Sequence, residues 1–309
     1  MFPPFWNTDN MANYITIGTY DGVHLGHQKI IKATIKESLK HGMKSIVVYF
    51  PLSPRFYFSG KNSNCLITLP EERNLLLKNM RVDKYESIVF DANVGTMSAE
   101  DFFNNIIIGH YDASGICVGH DFAFGKDRRG NLSFLKEMCA KKSIHFKHMS
   151  FVNFKSHKIS SSLIRRQLIL GNIEDANKCL GWNYSITGKI IKGARIGRQL
   201  GFPTANINVP ALKIIPPGVF AVKLILDGNI YNGVANSGYR PTIDKSKSHL
   251  ILEAHILDFD KNIYGKTLKI EFLKRLRGEK KFGLPESLKK QIAEDIKAAK
   301  AYFLLSPNH

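Results

Sequence analysis

Two glycine-rich stretches and one acid inside an apolar run hold the residue types and spacings that could do chemistry. The first stretch, G-T-Y-D-G-V-H-L-G-H, spans residues 18–27, after an apolar run at 14–17 and before a helix-patterned segment. A buried strand that stops at glycine and re-enters as a helix leaves backbone N–H groups free to face an anion. His24 and His27 stand three apart at the helix start, so both can reach the same anion, and Gly26 between them lets a phosphate approach the backbone. A glycine turn with incidental surface histidines is the alternative left open. The second stretch, G-R-Q-L-G-F-P-T-A-N, spans 197–206. Gly197 and Gly201 free its backbone to fold around a phosphate, and Thr204 and Asn206 offer two hard oxygen ligands of the kind Mg²⁺ prefers. It lacks the order of a Walker loop, and an ordinary barrel hairpin is its alternative. The acid is Glu253, inside L-I-L-E-A-H-I-L (250–257). Strand alternation puts Glu253 and His255 on one face and Leu252, Ala254 and Ile256 on the other. If the first face lines a pocket, Glu253 is a candidate general base; otherwise it faces solvent.

Two further segments could join the first site. G-H-D-F-A-F-G-K (119–126) follows a strand-like run at 115–119, and I-S-S-S-L-I-R-R (159–166) reads as a serine-capped helix start with Arg165 one turn in. A helix N-terminus with an arginine fork suits a polyphosphate, although a plain β-to-α loop and simple capping would also explain the two segments. The H-x-G-H spacing of 24–27 is that of nucleotidyltransferases, and it is not the i, i+4 spacing of a metalloprotease helix.

The elements that must position these residues fall into two patterns. Strand-like runs at 15–18, 45–50, 87–90, 115–119 and 144–149 alternate with helix-period segments at 26–41, 69–80, 99–108 and 131–141. Thr68 with Glu71, and Ser98 with Asp101, read as helix caps. The alternation predicts a doubly wound parallel sheet that binds its ligand at the carboxyl ends of the strands. After Trp182 the period changes to two, at 184–191, 219–226, 252–257 and 268–272, with a turn at 227–229. This predicts an antiparallel barrel of about six strands, closed by an amphipathic helix over 285–304. The domains expected are 1–183 and 184–309, as the length of 309 residues allows for two.

The chain has 44 Lys+Arg against 26 Asp+Glu, a formal charge of +18. The lysines are interspersed along amphipathic stretches and form no basic arm, so anionic small substrates are the expected partners and nucleic acid is not. Cys65, Cys117, Cys139 and Cys179 make no C-x-x-C pair, which argues against zinc or a redox motif and for a reducing compartment. The start, M-F-P-P-F-W, has no leader pattern and no run reaches a membrane span. A cytoplasmic protein, monomeric or weakly oligomeric, is expected.

Taken together the motifs resemble the bacterial bifunctional riboflavin kinase/FAD synthetase family, from about Ile15 to Phe303. The first half is similar to its FMN adenylyltransferase domain through the 18–27, 119–125 and 159–165 strings. The second is similar to its riboflavin kinase barrel through L-G-F-P-T-A-N-I (200–207), G-V-F-A-V (218–222), G-V-A-N-S-G-Y-R-P-T (233–242), L-E-A-H-I-L-D-F (252–259) and R-G-E-K-K-F (277–282). The resemblance implies ATP as co-substrate, Mg²⁺ as the metal, and riboflavin, FMN and FAD as substrate and products. It implies nucleotide or flavin contacts at Gly18, Tyr20, Asp21, Gly22, Gly26, Asp121, Phe122, Gly125, Ser160 and Ser161 in the first half. In the second half it implies contacts at Gly197, Gly201, Pro203, Thr204, Asn206, Asn236, Arg277 and Glu279, with Thr204 and Asn206 on the metal. Catalytic roles fall to Glu253 in the kinase and to His24, His27 and Arg165 in the adenylyltransferase.

The sequence departs from the family pattern in several places. Thr19-Tyr20 replaces asparagine-phenylalanine, Ser161-Ser162 stands for serine-threonine, and Leu163 takes a variable position. Residues 49–54, Y-F-P-L-S-P, replace a T-F-E-P-H-P-like string, so Ser53 stands where a histidine is usual. The expected function is phosphorylation of riboflavin to FMN and adenylylation of FMN to FAD. One alternative is a riboflavin kinase with a weakened or inactive adenylyltransferase domain, and another is a non-catalytic flavin sensor that binds RNA.

Overall fold

The computed structural model describes residues 11–54, 56, 65–193, 196–240 and 249–305, with the backbone alone at 196, 239, 240, 249 and 250. The M-F-P-P-F-W start and residues 241–242 of the barrel motif lie outside the described residues. The chain packs as two compact units, the first ending at Ser161 and the second beginning at Ser162 and including Cys65.

The first unit is a five-stranded parallel sheet in the order β3-β2-β1-β4-β5. Its strands are β1 (Asn13–Gly18), β2 (Lys44–Tyr49), β3 (Lys84–Ser87), β4 (Ala113–Gly119) and β5 (His145–Met149). Helix α1 (Leu25–Lys40) joins β1 to β2, α2 (Pro70–Asn79) joins β2 to β3, and α5 (Leu132–Lys141) joins β4 to β5. Between β3 and β4 lie α3 (Ala92–Thr96) and α4 (Ala99–Asp101), which runs on as a π-helix, Phe102–His110. A small hairpin, β6 (Asn153–Phe154) and β7 (His157–Lys158), follows. The central strands are apolar on both faces because helices cover both. Ile15, Ile17, Ile46 and Val48 pack with Phe102, Phe103 and Ile106, whereas Val47 and Tyr49 pack with Ile31 and Leu77. The strand order reverses between β1 and β4, so the loops leaving them, after Gly18 and after Gly119, flank the switch-point crevice in which such sheets bind ligands.

The sequence reading needs three corrections here. The third strand is not 87–90 but Lys84–Ser87, an edge strand. The Asp83 carboxylate accepts from Ser45 N and Oγ and fixes its entry, and the apolar Val89 that suggested a strand points outward at 71% exposure. Thr68 does not cap α2. Leu69 is the cap residue, and Glu72 reaches back to its N–H at 2.9 Å. Ser98 does cap its helix through Asp101 N at 3.0 Å, but the helix then widens into the π-turns, which buries Phe102, Phe103, Ile106 and Ile107 together.

The second unit carries α6 (Ser161–Ile169) from Ser162 on, α7 (Ile173–Leu180) and a closed six-stranded barrel, β10-β11-β12-β9-β8-β13. Its strands are β8 (Ser185–Ile191), β9 (Ala205–Asn208), β10 (Gly218–Leu226), β11 (Asn229–Arg240), β12 (His249–Ile256) and β13 (Thr267–Arg277). Short helix α8 (Ile196–Gln199) precedes β9, and α9 (Pro285–Leu305) ends the described chain. Residues 162–183 pack with the barrel. Asn177 on α7 donates to Phe272 O and accepts from Tyr184 N, both at 2.8 Å. Alternation is strict along β12, whose Leu252, Ala254 and Ile256 are buried. The outer face of β10 and β11 is also apolar, because α9 covers it: Val219, Ala221 and Val234 pack against Ala299, Ile296 and Phe303.

Candidate active sites

In the first unit, the segment from Gly18 to His27 turns through a series of left-handed residues: Tyr20 at φ 46°, Gly22 at 86° and Val23 at 37°. Non-glycine residues avoid this region, and its use twice within four positions marks a backbone held by its surroundings. Tyr20 is buried, its hydroxyl 2.5 Å from Thr16 Oγ1 and its ring edge-on to His27 at 5.0 Å. Burial pushes its phenol above the ordinary range. Asp21 is 2% exposed and its carboxylate accepts from Ile67 N and Thr68 N, so it ties the turn to the segment before α2. Thr68, displaced from its expected capping role, accepts from Gly22 N at 2.8 Å.

His24 caps α1: its Nδ1 accepts from His27 N at 3.2 Å, which leaves the ring proton on Nε2. The two imidazoles stack at 3.5 Å between centroids. Gly26 has a different use from the one its position suggested, since a Cβ there would press on the His24 ring at 3.1 Å. Ser161, the last residue of the first unit, donates to Asp21 O at 2.9 Å, and Ser160 precedes it.

The loop after β4 is fixed by Gly125. Its φ is 71°, and a Cβ would strike the Ala99 backbone. Phe122 stacks on Phe124 at 5.4 Å. Asp121 is paired with Lys158 at 2.6 Å in an exposed ion pair. Arg165 belongs to the second unit, where its Nε donates to Cys65 O at 2.8 Å.

The residue that sequence reasoning missed is Arg73. It is fully buried, and its guanidinium donates to the carbonyls of Thr19 (2.8 Å), Phe50 (2.9 Å) and Thr68 (3.2 Å). It lies 3.5 Å from Asp21 Oδ1 and over the Tyr49 ring. It therefore joins the loops that leave β1 and β2. An arginine on a polar helix, E-E-R-N, gives no sign of burial in the sequence.

In the second unit, strand register sets the site. Glu253 pairs with Asn206 on β9 and with Asn236 on β11, Asn236 pairs with Val219 on β10, and Val219 with Arg277 on β13. These residues form one row across the outer face of the barrel. Glu253, Asn236, Val219 and Arg277 of this row line a cavity of about 300 Å³ whose far wall is α9, through Leu288, Ile292 and Ile296. The pocket on which the Glu253 reading depended is present. Thr204 Oγ1 lies 3.5 Å from Glu253 Oε2. Gly197 is required where it stands, since a Cβ would meet Phe202 O at 2.5 Å, and Gly201 turns the loop at φ 91°. Pro203 lends its carbonyl to His255 Nδ1 at 2.8 Å. Arg277 is held bidentately by Asp295 of α9, both contacts at 2.8 Å, and fixes the wall of the cavity. Glu279 lies over Gly238, where any side chain would collide with its carboxylate. A second cavity, about 640 Å³, carries Lys192, Arg198, Phe259 and Tyr264 and is also lined by Thr204. Among the described residues no cluster of His, Cys, Asp and Glu could hold a metal by itself.

Comparison with known proteins follows this division. Residues 7–163 match the family model of FAD synthetase and residues 180–303 that of riboflavin kinase. Proteins named bifunctional riboflavin kinase/FMN adenylyltransferase match nearly end to end. That of Buchnera aphidicola subsp. Schizaphis graminum is 36% identical over 96% of each chain, and that of Haemophilus influenzae 35% over 94% of each. That of Bacillus subtilis is 34% identical over 96% of this chain and 94% of its own. The chain belongs to the bifunctional riboflavin kinase/FMN adenylyltransferase family. A solved structure titled macrolide-efflux protein from Streptococcus pneumoniae has the same fold (TM-score 0.85, 27% identity, 94% of this chain and 96% of that one). That title describes the neighbour; no helix among the described residues here is long and apolar enough to cross a membrane.

Against the family pattern, the Tyr20 hydroxyl that phenylalanine would lack is absorbed by Thr16, so this departure is compensated locally. For Ser53, whose carbonyl accepts from Phe56 N at 2.9 Å, no side-chain replacement for the usual histidine is evident.

Proposed function

We propose that the chain phosphorylates riboflavin to FMN in its second unit and adenylylates FMN to FAD in its first, releasing ADP and pyrophosphate respectively. The observation that carries this reading is the strand register of Glu253 with Asn206 and Asn236, which sets an acid beside Thr204 in the cavity walled by α9. Thr204 also lines the neighbouring cavity, whose cations and aromatic rings suit a nucleoside triphosphate. A flavin in one cavity and a nucleotide in the other would meet at Thr204.

A ribityl alcohol is neutral and needs a base. Glu253 takes its proton as the oxygen attacks the γ-phosphorus, and the bond to ADP breaks. Thr204 and Asn206 would hold Mg²⁺, which when bound neutralises phosphate charge; a hydroxyl 3.5 Å from a carboxylate, with an amide side chain at the strand position paired with Glu253, suits that hard cation.

In the first unit the FMN phosphate is already an anion when it attacks the α-phosphorus of ATP. That site supplies alignment and positive potential from the start of α1, His24 and His27. Gly18, Tyr20, Asp21 and Gly22 shape the turn and Ser161 donates to it at Asp21 O; nucleotide or flavin contacts are assigned to these residues and to Gly26, Asp121, Phe122, Gly125 and Ser160. The functional boundary is placed near residue 183, after the FAD synthetase match and close to the start of the riboflavin kinase match. The protein is assigned to the cytoplasm as a monomer or weak oligomer, in keeping with four buried free thiols. A flavin sensor has no use for an acid at Glu253, which weighs against that alternative. Incubation with riboflavin, ATP and Mg²⁺ and chromatographic separation of products tests the reading: FMN and then FAD are expected, and FMN alone, even with FMN supplied, would leave a kinase only.

A further inference from the structure

The wall between the two cavities of the second unit is the Pro203–Thr204 turn. Pro203 lines the larger cavity, His255 the smaller, and Thr204 both. We infer that His255 is a positioning residue for riboflavin phosphorylation: it holds the Pro203 carbonyl and so fixes Thr204 between the two cavities. The inference rests on the proposal that Thr204 and Asn206 hold Mg²⁺.

The His255 Nδ1 lies 2.8 Å from Pro203 O. A carbonyl only accepts, so Nδ1 carries the proton and the tautomer of the ring is set. Pro203 has no N–H, so this carbonyl is the one hydrogen-bonding group its own backbone offers. Among the described residues, backbone bonds within the loop run from Phe202 N to Gly197 O at 2.8 Å and from Gly201 N to Arg198 O at 3.1 Å. A Cβ on Gly201 would meet nothing within 4 Å among the described residues. Phe202 sets its ring edge-on to the imidazole at 6.2 Å. A loop bonded to itself is therefore tied to β12 at its foot, one residue before the Thr204 hydroxyl that faces Glu253. Groups that orient a metal ligand without touching the metal commonly change affinity or activity by about 10- to 100-fold when lost.

The test compares His255→Leu, His255→Asn and Thr204→Val in the full chain. Asparagine can place its Nδ2–H where the imidazole Nδ1–H stands, and leucine cannot donate at all. Calorimetric binding of ADP with riboflavin present, titrated over Mg²⁺, is read beside riboflavin phosphorylation. FAD formation from supplied FMN reports on the first unit in the same preparations. His255→Leu is expected to raise the Mg²⁺ needed for half-maximal ADP binding by about tenfold or more and to slow phosphorylation in step. His255→Asn should stay within about threefold of the wild type, the scale of one slightly misplaced hydrogen bond. FAD formation from FMN should be unchanged in both. A leucine variant with the wild-type Mg²⁺ dependence overturns the inference, as does an asparagine variant as impaired as leucine, which would give the work to the ring itself. Failure of the underlying metal assignment is seen separately: Thr204→Val with an unaltered Mg²⁺ dependence removes Thr204 as a ligand and takes the inference with it.

Discussion

The two units solve one problem, an oxygen attacking a phosphorus, with opposite means. The second builds a row of side chains across a rigid barrel, with an acid at its centre. The first builds a strained backbone turn, with φ values of 46°, 86° and 37° within four residues, held from beneath by a buried arginine and a buried aspartate. The difference follows from the nucleophile. A neutral alcohol must lose a proton as it reacts, and a phosphate monoester need not. Where no proton moves, the protein is left with alignment and charge, which backbone N–H groups at a helix start supply well.

The largest effect that would break this comparison comes from His27→Ala. Loss of a donor to developing phosphate charge typically slows turnover by about 10²–10³-fold, and FAD formation should fall on that scale with riboflavin phosphorylation unchanged, as read by product chromatography. An equal fall in both reactions would mean that the units are not chemically separate. Next is Arg73→Met. Removing one partner of a buried ion pair and stranding its acceptors costs about 3–5 kcal/mol. Thermal unfolding should show an earlier transition and loss of FAD synthesis with the kinase intact; a single unshifted transition would show that Arg73 holds nothing.

These two residues also mark how far the sequence could be read. The glycine turn, His24, His27 and Asn206 announce themselves because motif and period are local, whereas Asn236 and Arg277 entered only through the family resemblance. Alternation alone placed Glu253 opposite Leu252 and Ala254, but whether its face lined a pocket stayed open, because the cavity there depends on how α9 packs. Arg73 was not legible, because its acceptors are carbonyls of Thr19 and Phe50, brought to it by the strand order and not by any pattern around residue 73. Asp295 is similar: only the packing of α9 against the barrel puts it on Arg277. The strand misplaced to 87–90 failed for another reason. An edge strand with one exposed face, K-Y-E-S, is less apolar than the turn that follows it.

Smaller effects sharpen the comparison. If residue 53 contributes a phosphate contact in the first unit, Ser53→His should raise FAD output about tenfold, as one charge-assisted hydrogen bond of ~1.5 kcal/mol allows, and leave FMN formation alone. An unchanged ratio of FAD to FMN would make Ser53 harmless. Least affected should be the thiols: burial pushes Cys117 up to about 11 and Cys139 up to about 12. A thiol pKa raised by burial leaves little thiolate near neutral pH, so iodoacetamide at pH 7.5 should leave both unmodified and both activities unchanged. Rapid labelling with loss of FAD synthesis would show that the core of the first unit opens readily.

The central claim, a base in one unit and none in the other, is tested most directly by Glu253→Gln assayed for each reaction separately. FMN formation from riboflavin should drop by about 10²-fold or more, the scale of general-base loss, while supplied FMN is converted to FAD at the wild-type rate. FMN formation at the wild-type rate would make Glu253 a structural strand residue and contradict the account.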